Sequence, residues 1–477
     1  MRNTVRPRSA SESGGGWDRL FRWPAAFMHY LAGKWKGWSA SKQMLEQAEG
    51  LVLDGAAVAE LTVAWTAAHA AMKPPSPQAI GMAEASATLG VPPEAGTGAN
   101  AASSGSMHLA PVLGLSDGER AIVHRIRHET QRLNRNNVTR TEAYRAIYGR
   151  CPELHWAMLA HMVSRNGGWC MTDLQGELIP RLLGPEQREP TFRFLERANA
   201  LIFQDAYPQL LLYEAGQKLG RDLSRLLPAF GVSRFMQPAW AQFCRRKDPV
   251  PLTIALIVNE QHYIEGRVVQ HPYYRKHVLG KLFFGMQSLL QLNQVIFPYR
   301  FAAQDAQLPL HAGEDIGLRA AGLVLENFGS LRERIAFGKR LYAMLFGVPE
   351  VREGVHRFAR QVRHTGSRAD YAPELFAPIR HKPPERPYRE RLIGLRLRPG
   401  AEPLFSPRLA DAWADLPVEP AEPGDWFDAA GPGGIAAYFA ALPLPSSFEM
   451  THEYGFGLSK VELAVMTAEE LGAGRSG

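Results

Sequence analysis

Between residues 17 and 38, apolar side chains recur every three or four positions. Trp17, Leu20, Phe21, Pro24, Phe27, Met28, Leu31, Trp35 and Trp38 fall on one stripe, about 120° wide when projected as a helix. Arg19, Arg22, His29 and Lys36 face the other way, with Lys34 at the margin. A basic helix with Trp and Phe on its apolar side is the pattern of a helix lying in a membrane interface. Docking of the stripe on the protein's own helical domain is the other reading, and both stay open. Pro24 is expected to bend this helix, and Gly33 and Gly37 to weaken it. In the first reading Trp17, Phe21, Phe27, Trp35 and Trp38 are the membrane contacts, and the partner is an anionic membrane surface.

A different pattern starts at Leu252. Residues 252–258 are apolar on every side, as expected of a central helix rather than a surface one. The run leads directly into Asn259, Glu260, Gln261 and His262. If burial continues, these groups need partners, because an unpaired buried polar group costs about 1–3 kcal/mol. Glu260 and Arg267 lie two turns apart on one face with Tyr263 between them, and His262 and Glu265 are neighbours at i,i+3. A buried carboxylate–imidazole pair suits a general base or half of a metal site. The alternative is a polar network that fixes helix packing.

The helix read over 152–166 carries Trp156, Met158, Leu159, Met162 and Val163 on one apolar face, with His155 in the middle of it. His161 and Ser164 fall off that face, so His161 is read as a surface or second-layer group. Six residues apart, the two histidines point about 120° from each other and do not chelate one metal alone. Arg165-Asn166-Gly167-Gly168 reads as a glycine helix stop followed by a new start, although free N–H groups at such a start also suit an anion. Capping-box spacings are read at Thr139–Glu142 and Thr172–Gln175.

Further helices are expected at 41–72, 192–206, 209–226, 237–246, 251–270, 273–296, 316–327 and 330–346. Residues 392–397 make the best strand. The chain is therefore read as mainly α: a multi-helix domain over 117–415, preceded by a disordered start (1–16), amphipathic and Ala-rich helices (17–72) and a flexible Pro/Ala/Gly/Ser linker (73–116). Residues 416–477 are read as a loop-rich extension ending in a loose tail from 465.

Composition narrows the setting. The 477 residues are 45% hydrophobic and 21% charged, enough for a sizeable core. A net charge of +7 permits anionic partners without demanding them. Cys151, Cys170 and Cys244 cannot all pair with one another and form no Cys-x-x-Cys motif, which favours a reducing compartment. No signal peptide is read, and no run approaches the roughly 18 apolar residues of a spanning helix. A cytoplasmic protein, peripheral at the inner face of the membrane, is the expectation.

Five runs together resemble the YppC-like family of uncharacterised proteins from Bacillus-type bacteria: Asn137–Tyr144, His155–Glu177, Asn259–His262, His364–Tyr371 and Phe405–Trp413. The resemblance spans roughly residues 117–415. It implies a bacterial origin and a shared fold, and brings no activity or catalytic residues with it.

Chemistry has to be sought in the residues themselves. His155, Asp173, Glu260 and His262 are the candidates for acid–base or metal-assisted hydrolysis. Arg363, His364, Ser367 and Arg368 are the candidates for an anion site, holding phosphate by guanidinium forks and backbone N–H groups. A solvated basic face, or ion pairs to the domain's own acids, is the alternative there. His124 and His128 have i,i+4 metal spacing, but Arg125, Arg127 and Arg132 crowd them, so no metal site is expected. Walker A, Rossmann and Gly-x-Ser-x-Gly patterns are absent, as is any specific nucleic-acid motif, and no cofactor is named. The favoured reading is a non-enzymatic helical binding or scaffold protein associated with the membrane surface through residues 17–38. The alternative is an enzyme built on the His/Glu site.

Overall fold

In the computed structural model the described residues are 17–71, 114–166, 171–285, 293–301 and 317–473. The expected disordered start, most of the linker and the Gly167 stop lie outside them, as do the side chains of residues 17–27 and 29. The described chain is mainly helical, as expected. Its long helices are α1 (Trp17–Leu45), α2 (Gly55–Ala70), α3 (Asp117–Leu133), α4 (Asn137–Arg150), α5 (His155–Arg165), α6 (Pro185–Leu219), α7 (Met236–Arg246), α8 (Pro249–Ile264), α9 (Leu331–Gly347), α10 (Pro349–Gln361) and α11 (Thr451–Ala473). No helix among the described residues is long and apolar enough to cross a membrane.

The centre is α8. Asp248 caps its start by accepting the Val250 N–H, and Pro249 supplies a preset first turn. Every residue from Val250 to Asn259 is buried. The helix packs against α5, α6, α7 and α9. Its β-branched residues Thr253, Ile254, Ile257 and Val258 are mediocre helix formers, so burial rather than propensity holds it. Fully burying each large aliphatic side chain contributes about 1.5–3 kcal/mol. Beyond Ile264 the chain widens into a π-turn over Glu265–Val269.

Several local expectations shift. The helices expected at 192–206 and 209–226 are joined: α6 continues through Pro208 as one helix, with Ala206 to Leu210 all buried. The start of α4 is capped by Asn136 paired with Thr139, one turn earlier than the Thr139–Glu142 spacing suggests. Thr172 caps nothing with its hydroxyl, which donates to the Gly366 carbonyl instead.

Two expected helices are replaced at least in part by strands: β1 (Gln294–Arg300) and β2 (Arg319–Val324) pair antiparallel, with Ile296 opposite Gly322. Val295, Ile296, Phe297 and Tyr299 are β-branched or aromatic and Pro298 opposes a helix, so β1 follows from local chemistry. Ala320 and Ala321 mimic a helix in sequence. Pairing overrides them, because Gly322 N–H also bonds the Phe448 carbonyl and Met450 N–H the Ala320 carbonyl.

The C-terminal part is less loose than expected. Residues 451–473 form α11, whose Glu462 is buried and accepts the Tyr388 hydroxyl (2.7 Å) and the N–H groups of Arg391 (2.6 Å) and Leu392 (3.2 Å). That carboxylate ties the 388–392 segment, which follows Pro383, Pro384 and Pro387, to the helix. The remaining stretch does carry short helices and two-residue strands, including the hairpin Leu392–Ile393 with Arg396–Leu397.

One buried ion pair staples the helical core. Arg140 of α4 donates to Glu196 of α6 (2.6 Å) and to Asn134 after α3 (3.1 Å), with both charged side chains almost fully enclosed. Removing one partner leaves a buried charge alone, so Glu196→Ala is expected to lower unfolding stability by about 3–5 kcal/mol. Replacing both, by Arg140→Met with Glu196→Leu, is expected to recover most of that loss. Urea unfolding of the three proteins reads the difference; a loss below roughly 1 kcal/mol in the single variant contradicts it.

Candidate functional site

Two regions carry the candidate residues: the outer face of α1 and the polar half of α8. α1 docks on the body of the protein, and the contact face is the small one. Gly33, Gly37, Ser41 and Met44 are buried. A Cβ at Gly33 would stand 2.8 Å from the Cβ of His452, and one at Gly37 only 2.6 Å from the Glu449 carbonyl oxygen. The Ser41 hydroxyl donates to the Gly37 carbonyl and accepts the N–H groups of Phe448 (3.0 Å) and Glu449 (2.9 Å), at the entry to α11. The glycines expected to weaken α1 are thus the positions that let its backbone approach α11.

The opposite face of α1 is open. Met28 is 64% exposed, Leu31 43%, Trp35 69% and Trp38 42%. The Trp35 and Trp38 rings stand 5.2 Å apart, and the Lys42 ammonium lies 5.8 Å from the Trp38 ring centre. Lys34 and Lys36 are also exposed, although Lys34 pairs with Glu453 at 3.5 Å. The expected contacts Trp17, Phe21 and Phe27 lie on α1, but their side chains are outside the described residues.

In the centre, His155, Glu260 and His262 each meet a different aromatic partner. The His155 ring stacks on Phe346 at 4.0 Å, and its Nδ1 lies 3.0 Å from the Tyr342 hydroxyl. Burial, with the nearby His356 and Arg352, pushes its pKa down to about 4. Glu260 accepts the indole N–H of Trp156 (3.0 Å) and the Gln261 amide (3.2 Å). Burial and then the charge of Asp205 push its carboxyl up to about 8, against those two bonds. His262 stacks on Trp426 at 4.2 Å, and burial brings its pKa down to about 4. The groups that spacing along the helix offers these two residues go elsewhere. Glu265 pairs with Arg334, while Arg267 donates to the carbonyls of Glu422 and Gly424 and covers the Tyr263 ring. His161, expected at the surface or in a second layer, is fully buried with Nδ1 on the Thr141 carbonyl (2.8 Å), because α4 covers that side of α5.

A carboxylate that sequence reasoning misses belongs to this region. Asp205 of α6 accepts the amides of Asn259 (2.5 Å) and Gln209 (2.9 Å). Asn259 in turn accepts the Trp426 indole N–H, and Gln209 that of Trp240. Burial raises the Asp205 carboxyl to about 7 despite these donors. Its signal is a lone acid within an apolar stretch of a helix. The result is a polar seam between α6 and α8 that contains two acids held partly protonated near neutrality. Among the described residues, no group of three or more His, Cys, Asp or Glu is placed to hold a metal ion.

Asp173 lies apart from this seam. It receives Arg368 through a forked pair (2.6–3.0 Å), and Arg368 also donates to the Tyr371 and Tyr454 hydroxyls at 2.9 Å. Ser367 donates to the Ser406 carbonyl and caps the turn at Ala369. Arg363 is exposed, and His364 is buried. The four candidate anion-binding residues therefore do not close around one ligand. Arg368 and Ser367 act as ties between α11, the 368–371 turn and the 404–406 segment.

The molecule is thus a helical protein assembled around one buried helix, polar inside along a seam and apolar outside along one helix face. The chain belongs to the family described as "Protein of unknown function (DUF2515)", whose profile matches residues 132–432. It is 35% identical over 337 residues to the uncharacterized protein YppC of Bacillus subtilis (strain 168), covering 70% of this chain and 91% of that one. No solved structure matches significantly. The matched family region contains the seam and the Asp173–Arg368 tie, whereas α1 lies before it.

The raised Glu260 carboxyl gives a pH test. The folded protein keeps a proton there that the unfolded chain, with the ordinary value of 4.5, releases. Stability from this group is therefore full below about pH 4.5, falls as pH rises to about 8, and is level above that. Glu260→Gln has no such loss. Its stability relative to wild type is expected to improve by roughly 2 kcal/mol or more between about pH 5 and pH 8, read by denaturant unfolding. A difference that stays flat with pH contradicts the placement of this carboxyl.

Proposed function

We propose that this protein is a non-enzymatic binding protein held at an anionic membrane surface by the outer face of α1. The observation that carries the reading is the inversion of that helix. Its small residues take the docking, and its large apolar side chains Met28, Leu31, Trp35 and Trp38 are left facing outward. Apolar stripes of this kind mark contact surfaces. The charge on α1 selects the occupant: Trp17–Leu45 holds Arg19, Arg22, Lys34, Lys36 and Lys42 against the single acid Asp18. Trp side chains favour the headgroup level of a bilayer, and each Lys or Arg near an anionic surface adds about 1 kcal/mol of attraction. A second copy of the chain would bring the same positive charge to the contact, which disfavours self-association through this face. The enzymatic alternative has less to draw on, since His155, Glu260, His262 and Asp173 each face a different partner rather than one another.

Sedimentation with vesicles tests the reading, using the full chain and phosphatidylglycerol–phosphatidylcholine mixtures against phosphatidylcholine alone. Wild type is expected to pellet with the anionic vesicles and to be released by high salt. Trp35→Ala with Trp38→Ala is expected to weaken binding about tenfold or more, because both exposed tryptophans described on this face are gone. Equal pelleting of wild type and variant, or none by either, overturns it. So does a variant that changes only the oligomeric state.

A further inference from the structure

The strongest unexplained chemistry lies at the end of α5, in the run that marks the family. Arg165 is only 5% exposed, yet none of its three guanidinium nitrogens has a hydrogen-bond partner among the described residues. Its guanidinium rests 4.3 Å above the centre of the Phe358 ring. The acids whose charge reaches it are otherwise occupied. Asp370 accepts the Thr365 N–H and hydroxyl, both at 2.7 Å, and Glu142 is paired with Arg145 at 2.8 Å. A buried guanidinium with five idle N–H donors is costly, so the site calls for an acceptor.

Arg165 lines a cavity of about 40 Å³ together with Asn137 and His364, each of which is buried and also holds an idle polar atom. Their hydrogen bonds define what those atoms offer. His364 Nδ1 accepts the Gly366 N–H (3.3 Å), while the Asp370 carboxylate stands farther from the same atom (3.6 Å); with the Gly366 bond made, the neutral ring carries its proton on Nε2, the idle atom, which is then a donor. The Asn137 amide nitrogen donates to the Ser164 carbonyl (2.7 Å), so its idle Oδ1 is an acceptor. Beside them, both amide atoms of the buried Asn166 are idle as well. The cavity thus presents a charged donor fork, a neutral donor and at least one acceptor. A space of this size exceeds the roughly 10–15 Å³ that one water needs.

The geometry points to a binding site for a protonated oxyanion of the phosphate class, with Arg165 as the charged clamp, His364 as second donor and Asn137 accepting the ligand's own O–H. Phosphate near neutrality retains a proton to give Asn137, whereas sulfate and acetate do not. The ligand is inorganic phosphate or the phosphate end of a small phosphomonoester, and the test separates these. The Arg363–Arg368 segment enters the site through His364 alone, and the membrane reading of α1 is independent of it.

Thermal unfolding of the full chain is followed in chloride, phosphate, sulfate, acetate and glycerol 3-phosphate at matched ionic strength. Phosphate is expected to raise Tm by roughly 2 °C or more at millimolar concentration, growing with the logarithm of concentration. Sulfate and acetate are expected to do clearly less. A glycerol 3-phosphate shift equal to that of phosphate assigns the site to phosphomonoesters, and a smaller one to the free ion. Arg165→Met, which removes the buried charge while keeping the bulk over Phe358, is expected to abolish the shift, and Asn137→Ala, which removes the acceptor of the ligand's O–H, to reduce it clearly, each read against the variant's own Tm in chloride. The proposal is overturned if phosphate shifts Tm no more than chloride does, or if the shift survives in both variants. A crystal structure grown in phosphate that shows only water against Arg165 overturns it equally.

Discussion

A helix that is apolar on every side has to be surrounded, and most of this architecture answers that demand. α8 presents Leu252, Ile254, Leu256, Ile257 and Val258 in all directions, so α5, α6, α7 and α9 are all drawn against it. Where its sequence turns polar, at Asn259 and Glu260, the neighbouring helices have to supply polar groups of matching type. They do so with Asp205 and Gln209 from α6 and the Trp156 indole from α5, while Trp426 arrives from the C-terminal part of the chain. The seam therefore sets which helices meet and in what register, since an apolar slip by one turn would leave these groups unpaired.

Satisfied and unsatisfied burial stand side by side in this core. Arg140 and Arg368 are as enclosed as Arg165, but each has a carboxylate at hydrogen-bond distance and further neutral partners. Their fields are closed within the chain, which is what a structural tie requires. Among the described residues, Arg165 has only a ring face beneath it and acids already committed elsewhere. Arg140 keeps one idle nitrogen, but a buried arginine with no hydrogen bond at all stands apart from neighbours that each hold a carboxylate, and such departures mark candidate sites.

How much of this is legible in the sequence depends on the range of the interaction involved. The central position of α8 is legible, because a helix apolar on all sides is stable in water only when it is enclosed. The amphipathicity of α1 is legible too, but not which face docks. That is decided by Gly33 and Gly37, whose helix propensity argues against them and whose lack of a side chain argues for a close approach. Pairings across long separations are illegible: Glu260 with Trp156, Asp205 with Asn259, Arg368 with Asp173. Spacing along one helix suggests His262 with Glu265 and Glu260 with Arg267 instead, and those local pairs lose to partners from other elements. The helix expected at 316–327 fails for a related reason. Alanine-rich 318–323 prefers a helix in isolation, but β1 and the 448–450 segment offer its backbone a ladder on both sides.

The two outward-looking features sit on opposite kinds of ground. The α1 stripe lies before the family-matched region, and the helix is attached to the body by close backbone approach, the Ser41 hydroxyl, buried Met44, the Lys34–Glu453 pair and the stacking of Tyr30 on Phe456. The Arg165 cavity lies inside that region, at the junction of α4, α5 and the loop after α10. The buried ion pairs Arg140–Glu196 and Arg368–Asp173 are made without α1. The cavity depends on the core: Arg165, Asn137 and His364 come from three separate segments, and holding them around one small polar space needs the whole helical assembly in place. Any ligand binding shared across the family is therefore expected in the cavity and the seam rather than on α1.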